Sequence, residues 1–234
     1  MKIKFHFIIA VAFAAVLLPS CKKDNYDAPS VTLSGKLVYK GAPFGVEKDQ
    51  VPYELYQAGF GKVGPIGSSF AQDGSYSALL FDGEYKLIIP NGQGPFLWKQ
   101  TPSNTPDSLA IHLSGSQTLD LEVTPYWMIR DAQITVSAGK ANAVFKVEKV
   151  ITDANAKDID DVTLFINNTQ FVSPGNNNGA AGIGGGAIVD PNNINLSVTI
   201  PTMAPAQNYV FARIGMKIAG VEDRIFSPLV KLQF

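Results

Sequence analysis

The sequence predicts an all-β protein with two β-sandwich domains in tandem, placed after a lipoprotein signal peptide and a short tether. Three observations predict this class. Short stretches that alternate apolar and polar residues recur along the chain, as half-buried strands do. Turn-forming residues separate them, since the 234 residues include 21 Gly and 15 Pro. No stretch longer than about ten residues keeps the apolar period of a helix, which favours sandwiches over alternating strands and helices.

Composition and charge exclude several classes of function. The chain has 19 basic and 20 acidic residues, so we predict no nucleic-acid partner. Cys21 is the one cysteine, and His6 and His112 are the two histidines. No intramolecular disulfide or multi-His zinc site can form, and a catalytic triad would have to use His112. We therefore predict no metal, no cofactor and no catalytic residues.

The first 20 residues have the pattern of a secretory signal peptide. Lys2 and Lys4 precede an apolar run at 7–18, which is shorter than the roughly 20 residues of a transmembrane helix. The residues Leu-Pro-Ser-Cys at 18–21 resemble a bacterial lipobox, in which the cysteine is acylated and begins the mature protein. We expect Cys21 to carry a lipid anchor; the alternative is an ordinary signal peptide with a chance cysteine.

Residues 21–30 are predicted to form a polar tether, followed by domains at 31–124 and 125–234. In the first domain we predict strands at 31–39, 51–55, 75–81, 84–89, 109–113 and 118–123. Asp82-Gly83, between two of these strands, predicts a tight hairpin. In the second domain we predict strands at 132–137, 143–150, 162–166, 196–200, 209–218 and 229–232.

The order of motifs in the first domain carries a family resemblance. Leu-Ser-Gly-Lys-Leu-Val at 33–38 is followed by Gly-Ala-Pro at 41–43, Gln-Asp-Gly-Ser-Tyr at 72–76 and Gly-Glu-Tyr-Lys-Leu at 83–87. This order resembles transthyretin-like domains of the carboxypeptidase-regulatory type. With an Ig-like second domain, the mature chain is similar to two-domain Bacteroidetes lipoproteins of unknown function found with Sus-like polysaccharide-utilisation systems. The resemblance implies a lipoprotein anchored to the outer membrane at the cell surface, beside a transporter complex for glycans.

The best candidate for ligand binding is the long loop at 91–107. Long loops on rigid scaffolds often bind ligands. Phe96 and Trp98 could stack on the flat faces of sugars, and Gln93 and Lys99 could bond their hydroxyl groups. In the alternative interpretation, Trp98 folds back and caps the sandwich core.

Three further features are more readily interpreted as structural. Tyr126 and Trp127 are expected to pack at the domain junction, although they could line a cleft. The Gly- and Asn-rich segment 173–186 is expected to be a flexible loop, and its formal dinucleotide-binding pattern lacks a following helix. The aspartates at 158, 160 and 161 indicate a solvated turn rather than a calcium site. Separately, Asp-Ser-Leu at 107–109 resembles a Bacteroidetes O-glycosylation sequon, which would place a glycan on Ser108.

Three functions are compatible with these features. We expect a non-catalytic, carbohydrate-binding lipoprotein that serves a glycan importer. The alternative is an accessory lipoprotein that binds protein partners through exposed sheet edges. A glycosidase would need two carboxylates at a fixed separation, and the acidic residues here are scattered in turns. The sequence therefore predicts a protein that is not an enzyme.

Overall fold

The computed structural model describes residues 27–59, 64–99 and 106–234, and it contains twenty strands and one short 3₁₀ helix, Gly185–Ala187. The all-β class and the tandem arrangement of two domains are confirmed. Among the described residues, no helix has the length and apolarity needed to cross a membrane. The signal peptide and Cys21 lie outside the described residues, so the predictions about them stay predictions.

The strands of the first domain are short. They are β1 (Val31–Tyr39), β2 (Ala42–Pro43), β3 (Gly45–Val46), β4 (Pro52–Gln57), β5 (Ile66–Ser69), β6 (Ser75–Leu80), β7 (Gly83–Ile88), β8 (Phe96–Leu97), β9 (Leu109–Leu113), β10 (Gln117–Thr118), β11 (Leu121–Glu122) and β12 (Thr124–Pro125).

The strands of the second domain are longer on average. They are β13 (Trp127–Ser137), β14 (Lys140–Lys149), β15 (Ile159–Asn167), β16 (Gly179–Gly184), β17 (Ile194–Thr199), β18 (Tyr209–Ile218), β19 (Arg224–Phe226) and β20 (Val230–Gln233).

Two sheets face each other in the first domain. In one sheet, β1 pairs with β6 and β2 in antiparallel fashion and with β10 and β11 in parallel. The other sheet has the order β5-β4-β7-β9. The rings of Tyr53 on β4 and Tyr76 on β6 meet across the interior, with their centres 5.3 Å apart. Burial of alternate residues on β1, such as Leu33 and Leu37, produces the apolar alternation visible in the sequence.

The predicted hairpin at Asp82-Gly83 is wrong. β6 pairs with β1, whereas β7 pairs with β4 and β9 in the opposite sheet. The chain between them therefore passes from one layer to the other, which a two-residue hairpin cannot do. Gly83 has φ +142°, and the Tyr85 hydroxyl donates to the Phe81 carbonyl at 2.9 Å. This bond resembles the tyrosine corner at which Greek-key sandwiches cross between sheets.

The second domain is also built from two facing sheets. One sheet has the order β13-β14-β17, and the other has the order β16-β15-β18-β19, with β20 paired to β18. Residues from both sheets, including Phe145, Leu164 and Ile214, are buried in the same apolar cluster. The cluster continues into the first domain through residues such as Leu37 and Tyr53, so one core underlies both domains.

The predicted flexible loop at 173–186 is also wrong over its second half. Residues Gly179–Gly184 form β16, which pairs with β15 along its whole length. A Cβ on Gly182 would lie 2.3 Å from Thr163 Oγ1, and one on Gly185 would lie 1.8 Å from the Ile159 carbonyl oxygen. These glycines are needed for close approach of the backbone, and low sequence complexity here does not indicate flexibility.

The two domains are joined by backbone pairing as well as by packing. β3 of the first domain pairs with β19 of the second, at Val46↔Ile225 and Gly45↔Phe226. Beside this pair, the buried Arg213 donates to the carbonyls of Val46 at 3.1 Å and Val172 at 2.5 Å. The guanidinium also lies 3.7 Å from the centre of the Phe226 ring. The strand pairing and the bond from Arg213 to Val46 cross between the domains, so the junction is fixed by backbone and side-chain contacts.

Candidate functional site

A pocket of about 250 Å³ lies where the predicted ligand loop meets the second domain. We call it the interdomain pocket. The first domain contributes all four residues predicted to bind a ligand, which are Gln93, Phe96, Trp98 and Lys99. The second domain contributes Tyr126, Asn155, Lys157, Gly220 and Val221. Residues 100–105 of the predicted loop lie outside the described residues.

The first part of the loop is held in one conformation. Gly92 and Gly94 both have φ +79°, a region that side chains disfavour. A Cβ on Gly94 would lie 2.4 Å from the Phe96 ring, so the turn wraps closely over that ring. The Gly94 N–H donates to Asp223 Oδ2 at 2.8 Å, and the Tyr126 N–H donates to the Pro95 carbonyl at 3.2 Å. The second domain therefore fixes the wall of the pocket.

Phe96 and Trp98 are buried, and they form a wall of the pocket rather than an exposed aromatic surface. Phe96 packs edge to face on Phe44, with ring centres 6.1 Å apart. Trp98 is 9% exposed, and its indole N–H donates to the Asp107 carbonyl at 2.9 Å. This position matches the alternative in which Trp98 caps the core, while part of the ring still lines the pocket. Binding by these two residues stays a prediction.

Polar side chains from both domains point to the same space. Gln93 is half-buried and Lys99 is exposed, and across the pocket Asn155 is exposed and Lys157 is half-buried. Sequence reasoning missed Asn155 and Lys157 as site residues, because they lie in a turn between β14 and β15. Nothing in the linear pattern connects that turn with residues 91–99.

The junction aromatics Tyr126 and Trp127 pack as expected, and Tyr126 also lines the pocket. The Trp127 indole N–H donates to the Lys157 carbonyl at 2.8 Å. The Lys157 ammonium lies 5.6 Å from the centre of the Tyr126 ring, within range of a cation–π contact. The two aromatic residues therefore hold Lys157 by its backbone and by its charged end.

One buried carboxylate lies behind the pocket wall. Asp223, which is 5% exposed, accepts the hydrogen bond from Gly94 described above. Burial raises the pKa of this carboxyl from its ordinary value of 3.8, and the bond from Gly94 opposes the rise. Asp223 therefore fixes the loop, and its carboxylate is not part of the described lining.

The aspartates at 158–161 do not form the expected solvated turn. Asp160 and Asp161 lie within β15. Asp161 makes two bonds with Arg224, at 2.6 and 2.7 Å, and accepts from the Thr163 hydroxyl at 2.8 Å. Asp158 pairs with Lys149 at 3.5 Å. Within residues 27–59, 64–99 and 106–234, no group of three or more His, Cys, Asp or Glu could hold a metal ion.

Several comparisons place this architecture among known proteins. No curated protein matches the sequence. A DUF3823 protein from Parabacteroides merdae ATCC 43184 is 34% identical, with a TM-score of 0.76, and the match covers 88% of this chain and 100% of that one. A DUF3823 protein from Bacteroides ovatus ATCC 8483 is 27% identical, with a TM-score of 0.74 over 87% of this chain and 99% of that one.

A more distant likeness shows the fold alone. A protein from Bacteroides uniformis ATCC 8492, described as a "putative carbohydrate binding protein", is 17% identical, with a TM-score of 0.66. The match covers 88% of this chain and 100% of that one.

Family models for the DUF3823 N-terminal domain and the DUF3823 C-terminal domain, both of unknown function, match residues 31–124 and 127–231. The resemblance to a two-domain Bacteroidetes family is thereby confirmed, and the chain belongs to the DUF3823 family.

Proposed function

We propose that this protein is a non-catalytic carbohydrate-binding protein and that the interdomain pocket holds a sugar unit. One observation carries the proposal: aromatic rings and hydrogen-bonding side chains from two domains converge on a single pocket. Sugars combine apolar C–H faces with many hydroxyl groups. A pocket of mixed aromatic and amide character matches that combination.

The size of the pocket limits what it could hold. At about 250 Å³, it is smaller than the roughly 300–1,000 Å³ of pockets for drug-sized ligands. One sugar ring at a chain end or on a side branch is therefore expected, rather than a length of polysaccharide. The neighbour from Bacteroides uniformis, by its description, supports a carbohydrate ligand.

The lining favours binding over hydrolysis. A glycosidase needs two carboxyl groups on either side of the bond that it cleaves. The described residues that line the interdomain pocket include no Asp or Glu. Binding without catalysis is therefore the function that the lining supports.

We place the protein on the outer membrane, held by a lipid on Cys21 and facing the cell surface, where it would serve a Sus-like glycan importer. The lipobox-like residues at 18–21 and the polar tether support the anchor. Family membership supports the association with polysaccharide uptake only through the resemblance described above. Labelling with a radioactive fatty acid, lost in Cys21→Ala, would test the anchor.

The binding experiment uses the soluble chain from Lys22 onward and a panel of polysaccharides. The variant Gln93→Ala/Asn155→Ala removes two amide groups from the pocket, and neither side chain has a hydrogen bond among the described residues that folding would lose. We expect one class of glycan to bind and the variant to weaken binding about tenfold.

The matched control is Gln117→Ala/Asn192→Ala, which removes one Gln and one Asn from exposed positions outside the pocket. It should bind like the unmodified protein. A folded protein that binds no polysaccharide of a broad panel would contradict the proposal.

The alternative of a protein-binding accessory also has an observation in its favour. Val189 is 98% exposed, and Ile66, on β5 at the edge of its sheet, is 43% exposed. Exposed apolar residues and sheet edges are typical contacts for protein partners. Loss of co-purification with outer-membrane proteins in Val189→Ser would favour this second function.

A further inference from the structure

The charged side chains that line the interdomain pocket are both positive. Among its described lining residues the charged side chains are those of Lys99 and Lys157, one from each domain. The pocket therefore combines hydrogen-bonding groups with two positive charges. An inference about the ligand from these charges rests on the proposed function, because it concerns the same site.

Lys157 is positioned for a role in the pocket. Its carbonyl is held by the Trp127 indole, and its ammonium lies over the Tyr126 ring, as described above. On the far side, Nζ lies 3.5 Å from the point that a Cβ on Gly220 would occupy. Gly220 has φ +68°, a backbone conformation that favours glycine, so the turn between β18 and β19 places no side chain beside this ammonium.

Neither pocket lysine forms an ion pair within the described ranges. This distinguishes them from lysines elsewhere that are neutralised by a nearby aspartate. The paired lysines are Lys36, Lys48, Lys146 and Lys149, with nitrogen–oxygen distances of 2.8 to 3.7 Å. An ammonium that lines a pocket without a carboxylate partner favours a ligand that supplies the negative charge.

The neighbouring acidic groups do not neutralise Lys157. Asp223 is buried behind the wall and is occupied by the Gly94 N–H. Glu122 and Asp153 line an adjoining groove on the other side of Lys99. Lys99 borders both spaces, whereas Lys157 borders the interdomain pocket and not that groove. Lys157 therefore points more directly than Lys99 to a negatively charged ligand in the interdomain pocket.

We infer that the interdomain pocket takes an acidic sugar, with Lys157 and Lys99 binding its negatively charged group while Gln93 and Asn155 bond its hydroxyl groups. The shared chemistry is a carboxylate, as in a uronic acid, or a sulfate ester. Either group accepts charge-assisted hydrogen bonds from an ammonium. A neutral sugar would leave the ammonium groups partly desolvated without compensation.

The test compares the affinity of the soluble chain from Lys22 onward for each acidic polymer with its affinity for the uncharged form of the same polymer, called here its neutral counterpart. Polygalacturonate and its carboxyl-reduced form test the carboxylate, and a sulfated galactan and its desulfated form test the sulfate. We expect one acidic polymer to bind at least about tenfold more tightly than its neutral counterpart, and its binding to weaken as the salt concentration rises.

Lys157→Gln should weaken binding of the acidic polymer about tenfold, and Lys99→Gln should weaken it less. The matched control is Lys140→Gln, an exposed lysine at the start of β14 that forms no ion pair among the described residues. It should leave the affinity unchanged, which separates local binding from a change in net charge.

Three results would overturn the inference in different ways. In the first, an acidic polymer and its neutral counterpart bind equally well, Gln93→Ala/Asn155→Ala weakens this binding, and Lys157→Gln leaves it unchanged. That result would contradict the acidic ligand and leave the proposed function intact. A preference for the acidic polymer that persists in the Lys99→Gln/Lys157→Gln double variant would contradict the assignment to these lysines. Failure of the folded protein to bind any of the polymers would overturn both proposals.

Discussion

Asp223 links the two domains, because its buried carboxyl group accepts a hydrogen bond from the Gly94 N–H. In the unfolded chain, water would solvate this carboxyl group. Desolvation raises the pKa of this carboxyl above 3.8. Between pH 3.8 and the raised pKa, the folded protein therefore holds a proton that the unfolded chain has released. The folded state binds more protons in this window, so the free energy of unfolding falls as the pH rises through it.

The variant Asp223→Asn tests this dependence. Its amide oxygen can still accept the Gly94 N–H, and it never carries a charge, so it lacks the cost of burying an ionised carboxylate. We expect the stability of the variant relative to the unmodified protein to increase as the pH rises above 3.8 and then to level off. Urea denaturation of both proteins at several pH values measures the difference. A difference that is independent of pH, or one that shrinks as the pH rises, would contradict this.

At the scale of single elements, the glycine-rich segment 179–187, which forms β16 and the 3₁₀ helix that follows it, packs closely against β15. A methyl group on Gly185 would lie 1.8 Å from the Ile159 carbonyl oxygen, whereas one on Gly186 would meet nothing within 4 Å. Backbone atoms cannot move aside as a flexible side chain can. Gly185→Ala should therefore lower the free energy of unfolding by about 1–3 kcal/mol.

Gly186→Ala is the matched control, because it makes the same chemical change one residue away in open space. It should change stability by no more than about 0.5 kcal/mol. Thermal or urea unfolding of the two variants measures both effects. If this stretch were a flexible loop, the two substitutions would have equal and small effects.

The elements that the sequence predicted well are those with their own apolar alternation. The predicted bounds of β1 and β18 agree with the observed strands Val31–Tyr39 and Tyr209–Ile218. β3 has two residues, Gly45–Val46, and exists because β19 of the other domain offers it a partner. β16 carries mostly Gly and Ala, so its pattern contains no alternation of hydrophobicity. Strands of these two kinds are determined by tertiary pairing, which a local pattern does not encode.

The candidate site was predictable from the sequence on one side only. The loop at 91–107 was recognisable by its length and by its aromatic and amide residues. Asn155 and Lys157 face that loop because the domains dock, and neither residue differs in the sequence from an ordinary residue of a solvated turn. For a site assembled between two domains, the sequence can therefore indicate the residues of one domain, whereas the residues of the other are identified only once the folded structure is known.

At the scale of the whole molecule, the junction predicts that the two domains unfold together. β3 completes a sheet of the other domain, Arg213 bonds carbonyls on both sides, and one apolar cluster continues across the boundary. Separating the domains would expose the shared apolar cluster to water and break the bond between the Arg213 guanidinium and the Val46 carbonyl, and a hydrogen bond to a charged group typically contributes about 1.5–3 kcal/mol. Neither domain is therefore expected to persist once the other has unfolded.

The two tryptophans of the chain allow a direct test, since Trp98 lies in the first domain and Trp127 begins β13 of the second. In Trp127→Phe the fluorescence reports the first domain, and in Trp98→Phe it reports the second. Within each variant, the urea midpoint measured by fluorescence should coincide with that measured by far-ultraviolet circular dichroism, which follows both domains. Arg213→Met, added to either variant, should lower both midpoints together. Two separate transitions, or a loss confined to one domain in Arg213→Met, would show that the domains fold independently and that the interdomain pocket can open.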